Sequence, residues 1–200
     1  MMCGRYVIDD GQIAEVNKIL QDINNKYNNV SVTAKTGEIY PTDNAPILSV
    51  QNDIPSLSLM TWGFPKWDNK GVIINTKSET VSEKRMFAQP FIQHRCIVLS
   101  TGFYEWTKGK VKDKYRFNSP NSSMLYMAGI YTEYPNQSSN THINDSFVIL
   151  TRPANEFVIN IHERMPVILY KDELIRWLTD YHFASTIIER NNVKLFTEIA

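Results

Sequence analysis

Two cysteines in 200 residues leave no disulfide framework to build on, so the chain is expected to fold in a reducing compartment around an ordinary apolar core. No apolar run approaches the roughly 20 residues of a membrane-spanning helix. Asp9 and Asp10 arrive before any stretch that could serve as a secretory signal, and the cytoplasm is the expected location. Neither sign of charge is in surplus, with 21 Lys+Arg against 21 Asp+Glu. No bulk field therefore draws the protein to nucleic acid or membrane, and any anion site must be a local patch. The four histidines have no ligand-like spacing. His162-Glu163 begins like the helix of a zinc protease, but Pro166 stands where the second histidine belongs and breaks such a helix. No metal, no cofactor and no membrane contact are expected.

What is present is an apolar fraction of 42%, with 12% aromatic residues. That is enough for one sizeable core, and a single domain over 1–200 is expected. Ile13, Val16, Leu20, Ile23 and Tyr27 step by three and four, which predicts a helix. Short apolar or alternating runs predict strands over 3–8, 45–50, 57–62, 72–75, 115–118, 124–131, 147–151, 167–170 and 193–199. Residues 96–100 form a continuous apolar run, the pattern of a strand buried on both faces. Residues 78–87 read as helical. Pro153 suits a first helical turn and predicts a short helix to residue 160, and Asp172 is expected to cap a helix over 173–178. Lys108-Gly109-Lys110 reads as a hairpin tip, and 134–146 as a polar insertion. Many short strands with a few helices argue for an α+β domain with a mostly antiparallel sheet.

Cys3 is the first residue with distinctive chemistry. If processing exposes it, an α-amine and a thiol stand on adjacent carbons, and that pair traps aldehydes as a five-membered thiazolidine. The amine titrates near about 8 and the thiol near about 8.5. Glu105 lies between Tyr104 and Trp106. A carboxylate among aromatics is desolvated and its pKa raised, which suits a general acid or base, although a strand glutamate facing solvent gives the same pattern. Alternation places Tyr104 and Trp106 on one face and Glu105 on the other. His162 titrates near neutrality and reads as a proton shuttle or a loop histidine. Asn75 ends a strand, where its amide can orient a substrate or simply close a turn. Cys96 reads as an inert core thiol. Residues 62–87 carry Lys66, Lys70, Lys77, Lys84 and Arg85 beside Trp67, Met86 and Phe87. Cations for phosphates beside rings for bases suit single-stranded nucleic acid, although Asp68, Glu79 and Glu83 are interspersed and an ordinary lysine-rich surface gives the same pattern.

Cys3-Gly4-Arg5-Tyr6, Trp62-Gly63-Phe64, Asn75-Thr76-Lys77-Ser78-Glu79-Thr80, Gly102-Phe103-Tyr104-Glu105-Trp106 and His162-Glu163-Arg164-Met165-Pro166, taken in that order, resemble the SOS-response-associated peptidase (SRAP) family. The resemblance implies a bifurcated, mostly antiparallel sheet, partly closed as a small barrel and flanked by helices. It implies covalent capture of abasic sites in single-stranded DNA through an N-terminal cysteine, with autoproteolytic exposure of that cysteine. It assigns Cys3 as nucleophile with Asn75, Glu105 and His162 as partners, and a DNA channel of Arg5, Trp67, Lys77, Arg85, Met86 and Phe87. A monomer is the expected state. Lys77 departs from the family's usual arginine and loses the planar fork that grips phosphate twice. Thr76 and Ser100 replace a more usual alanine and proline.

Two other classes stay open: a thiol hydrolase acting on peptides, with His162 as base, and a non-covalent DNA-binding module. The start of the chain adds a requirement. Removal of Met1 is expected to be poor because Met2 is bulky, so either synthesis begins at Met2 or the Met2–Cys3 bond is cut by the protein itself. Met1 and Met2 are expected across or outside the mouth of the pocket.

Overall fold

The computed structural model describes residues 3–12, 35–51, 54–68, 70–133, 145–190 and 192–200. The helix expected over 13–27, Met1, Met2 and most of the polar insertion lie outside the described residues. In chain order the elements are β1 (Tyr6–Ile8), β2 (Gly37–Ile39), β3 (Asn44–Gln51), β4 (Ile54–Trp62), β5 (Phe64–Pro65), β6 (Val72–Ile73), β7 (Asn75–Lys77) and α1 (Arg85–Gln93). Then come β8 (Arg95–Ser100), β9 (Gly102–Trp106), β10 (Lys114–Asn118), β11 (Leu125–Thr132), β12 (Ser146–Pro153), β13 (Arg164–Pro166) and β14 (Ile168–Leu169). Two helices, α2 (Leu174–Thr179) and α3 (Tyr181–Ile187), and strand β15 (Phe196–Ile199) complete the chain.

One sheet runs β15-β10-β9-β1-β2 and is antiparallel throughout. The larger runs β13-β12-β4-β3-β8-β11-β14, and an added β11–β12 pairing closes β12, β4, β3, β8 and β11 into a ring. Within it only the pairings of β12 with β4 and β7 are parallel. The chain passes from the larger sheet to the smaller between Ser100 and Gly102, where both the amide and the hydroxyl of Thr101 donate to the Val7 carbonyl. That crossing is the branch point of the bifurcated α+β architecture. Gly102 is required there: a Cβ would stand 2.9 Å from the Phe117 carbonyl oxygen.

β8, β11 and β12 are buried almost end to end, because the larger sheet is covered on both faces. Cys96 and Val98 point into a cluster with Cys3, Tyr6, Phe103 and Phe117 of the smaller sheet. Ile97 and Leu99 point the other way, into a cluster with Phe87, Phe91, Leu174 and Trp177 of the helices. Cys96 is thus the core thiol expected. Trp62 is fully buried and donates its indole N–H to the Ile74 carbonyl at 3.0 Å, which sets β4 beside the strand that delivers Asn75.

Two expected helices are corrected. Residues 78–87 are not one helix: Ser78–Thr80 make a single 3-10 turn and α1 starts only at Arg85. Pro153 does not open a helix either. It ends β12, and the segment that follows is a run of turns. The Asn155 side chain accepts from the Phe157 amide at 3.1 Å and donates to the Val193 carbonyl at 2.7 Å, local bonds of the kind that compete with a helix. The helix expected over 173–178 is present as α2, but no side chain caps it: Asp172 lies in a preceding 3-10 turn, Lys171–Glu173, where Glu173 accepts from the Tyr170 amide at 2.8 Å.

The helices are fastened to the sheet by Arg95, which is 5% exposed. Its guanidinium donates to the carbonyls of Phe91 and Ile92 at the end of α1, at 2.9 and 2.6 Å. It also donates to Trp177 and Leu178 at the end of α2, at 2.6 and 3.1 Å. A cation at two helix C-termini meets the negative ends of both dipoles and the carbonyls that helix ends leave orphaned. Arg95→Met is therefore expected to cost on the order of 4 kcal/mol, since buried acceptors lose their donor. Urea unfolding checks it, and a cost below about 1 kcal/mol would contradict the fastening role.

Candidate active site

The pairing of β1 with β9 places the start of the chain. Tyr6 lies opposite Phe103 and the Tyr104 amide donates to the Arg5 carbonyl at 2.9 Å, so residues 3–5 run back alongside 104–106. The Cys3 amide consequently donates to Glu105 Oε1 at 2.5 Å, with both residues buried. Cys3 adopts φ +40°, a left-handed conformation that costs a residue with a Cβ about 1–2 kcal/mol. The alternation read along β9 holds. Tyr104 and Trp106 share one face, where Lys114 Nζ sits 3.8 Å from the Tyr104 ring and Arg5 lies over Trp106, and Glu105 turns inward.

Burial pushes the Glu105 carboxyl up to about 7, against the pull of the Cys3 and Trp106 amides. Burial first and the Glu105 charge second push the Cys3 thiol well above its ordinary value. His162 Nδ1 lies 4.0 Å from Glu105 Oε1 and accepts from the Arg164 amide at 3.1 Å. The same nitrogen lies 3.3 Å from the Arg164 carbonyl, so the backbone of Arg164 fixes the ring at Nδ1. Burial lowers its pKa, so neutral is the form held at pH 7.

His162 follows the turns after β12, which are closed by the Ala154 amide on the Glu163 carbonyl at 2.9 Å. Arg164 secures the next strand. Its guanidinium makes a two-pronged contact with Glu79, with Nη2 at 2.7 Å from Oε2, and also donates to the Thr151 carbonyl at 2.6 Å. The Arg164 contact holds the Glu79 carboxyl down to about 2. This pair joins the segment of Asn75 to the segment of His162. Both residues lie inside the sequence motifs, yet the sequence alone points to no role for either.

Asn75 opens β7 opposite Ile149 and lines a groove of about 470 Å³ with Lys77, Lys84, Met86, Phe87 and Thr151. Cys3 is bonded to Glu105 and His162 lies 4.0 Å from that carboxyl, whereas Asn75 lines the groove. Lys77, Arg85 and Met86 are exposed, while Phe87 is 5% exposed and packs on Phe64, so it floors the groove and leaves little face for a base to stack on. Trp67, in the loop between β5 and β6, is 93% exposed. Arg5 stands apart: Glu38 already accepts from it at 3.0 Å and it lies 4.1 Å over the Tyr40 ring. Helix α1 begins with Lys84 as N-cap and Arg85 after it, with no side-chain cap. Two cations at the positive end of a helix dipole are unfavourable in isolation and become favourable beside an anion.

The family described as SOS response associated peptidase (SRAP) matches residues 2–194. The chain is 31% identical over 205 aligned residues to the abasic site processing protein YoqW of Bacillus subtilis, covering 94% of this chain and 87% of that one. It is 33% identical over 190 to YoaM of the same organism, also named an abasic site processing protein, covering 88% and 79%. A crystal structure of a Bacteroides thetaiotaomicron protein superposes with a TM-score of 0.77 at 22% identity, over 98% of this chain and 91% of that one, and shares the fold.

The pocket makes a stability prediction. The Glu105 carboxyl holds its proton to about pH 7 in the fold but only to about 4.5 when unfolded. The folded state binds the extra proton between those values, so stability from this group is greatest below pH 4.5 and falls as pH rises through 7. Glu105→Gln cannot ionise and is expected to gain about 3 kcal/mol over the parent between pH 4.5 and 8.5. Denaturant unfolding at both pH values measures this; a pH-independent difference would mean the carboxyl is not desolvated.

Proposed function

We propose that this chain, which belongs to the SOS response associated peptidase (SRAP) family, captures abasic sites in single-stranded DNA as a thiazolidine on Cys3. The observation that carries this reading is the buried contact of the Cys3 nitrogen with Glu105 Oε1, beside His162. The names of the relatives, abasic site processing proteins, support the lesion. With Cys3 as first residue, its amine adds to the aldehyde carbon of the opened sugar. The resulting carbinolamine loses water to an imine. The thiol then adds to the same carbon while its proton passes to the imine nitrogen. One water leaves, and two bonds to that carbon are made.

Glu105 suits the proton transfers because its pKa of about 7 lies close to that of an α-amine. It takes a proton from the attacking amine and returns it to the departing hydroxyl. His162, held neutral by burial, serves the sugar ring, which must open to release the aldehyde. Asn75, at the edge of the groove, orients the sugar. Lys77, Arg85 and the start of α1 hold phosphates, and Met86 and Trp67 meet the bases. A DNA phosphate near α1 would also relieve the unfavourable cations at its first turn.

The mechanism needs a free amine, and Cys3 has no exposed surface in the chain that still carries Met1-Met2. Synthesis from Met2, followed by ordinary methionine removal, supplies the amine. Self-cleavage is the second route: Glu105 takes the thiol proton as Cys3 Sγ attacks the Met2 carbonyl and passes it to the leaving nitrogen, and water hydrolyses the resulting thioester. The φ of +40° at the residue after that bond and the short approach of Glu105 favour this route.

Cys3→Ala is expected to abolish a heat-stable adduct with abasic single-stranded DNA, and Cys3→Ser not to restore it. Glu105→Gln should slow adduct formation about 100-fold with lesion-free DNA binding nearly unchanged. Protein made from Met2 should form the adduct, whereas protein still carrying both methionines should not. Intact mass over the course of the reaction reads the adduct in each case, and fluorescence anisotropy reads the binding of lesion-free DNA. An adduct in full yield on uncleaved protein would refute the amine mechanism.

A further inference from the structure

The turn between β9 and β10 reads Thr107-Lys108-Gly109-Lys110-Val111-Lys112-Asp113, followed by Lys114 at the start of β10. In a chain of zero formal charge, four lysines face one acid within eight residues. The turn is closed at its base by the Asp113 amide on Thr107 Oγ1 at 2.9 Å and the Thr107 amide on the Asp113 carbonyl at 3.1 Å. Lys114 is engaged, pairing with Glu38 at 2.5 Å under the Tyr104 ring. Lys110 and Lys112 are exposed and have no ion-pair partner among the described residues. Lys108 reaches Glu163 at 3.2 Å, the neighbour of His162, and Lys77 of the groove acts on the same carboxylate. The hairpin therefore grows out of the strand that carries Glu105 and touches the segment that carries His162.

We infer that the β9–β10 hairpin is a second phosphate-binding arm, through which Lys108, Lys110 and Lys112 hold the sugar–phosphate backbone of the bound strand beyond the pocket. This rests on the reading of the site as a trap for lesions in single-stranded DNA. Long flexible cations on a turn tip suit a phosphate chain, which offers charge at regular intervals and asks for no fixed geometry. Glu163 keeps Lys108 oriented until a phosphate replaces it. The exposed pair costs little to exchange, since both partners are solvated.

The test measures binding of a lesion-free, fluorescein-labelled single-stranded oligonucleotide by anisotropy between 50 and 300 mM salt, so that covalent capture plays no part. Lys110→Ala combined with Lys112→Ala is expected to flatten the plot of log affinity against log salt by about 1.4, or about 0.7 for each phosphate no longer held, and to weaken binding about tenfold near 100 mM salt. Replacing both lysines by arginine should retain affinity. Lys77→Ala serves as the groove control and should flatten the slope by about 0.7. Lys171→Ala, on a remote exposed turn, should change nothing. If Lys77→Ala weakens binding and the double alanine variant matches the parent, the arm is refuted and the groove stands. If neither changes binding, the DNA reading of the groove falls with it. An equal loss in Lys171→Ala would assign the effect to bulk charge and refute the arm.

Discussion

A carboxyl group held out of water against the backbone nitrogen of the third residue is what the surrounding structure accommodates. Glu105 is 2% exposed, and burying a charge without full compensation is costly. The fold answers by keeping the group near its neutral form and giving it one short donor. That donor is available only because β1 runs antiparallel to β9 in a register that returns residues 3–5 past 104–106. The register in turn depends on the crossing at Thr101 and on a glycine at 102, where backbone meets backbone too closely for a side chain. The placement of one proton thus reaches back into the topology of both sheets.

The rest of the site is secured by charges that do not touch the chemistry. Arg164 and Glu79 hold the strand after His162 to the segment after Asn75, and the low pKa of Glu79 records the strength of that contact. Arg95 does similar work behind the larger sheet, where it collects the carbonyl ends of two helices. Buried guanidinium groups suit both tasks because one planar group can serve several acceptors in fixed directions. The groove follows the opposite logic. Its cations at the start of α1 are placed where a folded chain alone would not want them, the kind of local conflict expected where a partner completes the arrangement.

Much of this is legible along the sequence because it is local. The run Cys96-Ile97-Val98-Leu99 announces a strand covered on both faces, and the alternation of Tyr104, Glu105 and Trp106 announces which side chain turns inward. What is illegible is either long-range or a competition between local options. Glu79 and Arg164 are 85 residues apart, and nothing in either segment names the other. The carbonyl partners of Arg95 leave no trace in composition. Pro153 suggests a helix, but the side chain of Asn155 offers the backbone other partners. The start of helix α1 is obscured because Pro90 interrupts its pattern, although Phe87 and Phe91 mark its inner face. A signal for α3 is present in the sequence and easily passed over: Asp180 accepts from the Phe183 amide at 2.9 Å as its cap, and Ala184 and Ile187 face inward.

The four tryptophans differ sharply in their surroundings. Trp62 and Trp177 are sealed in the two halves of the core, each with its indole N–H bonded to a backbone carbonyl, and Trp106 is half-buried under Arg5. Trp67 alone stands 93% in water. The long-wavelength edge of the protein's intrinsic fluorescence therefore belongs almost wholly to one side chain in the loop between β5 and β6, and so does collisional quenching by small solutes. The molecule carries its own optical reporter, open to water on the loop after β5 and silent to events in the core.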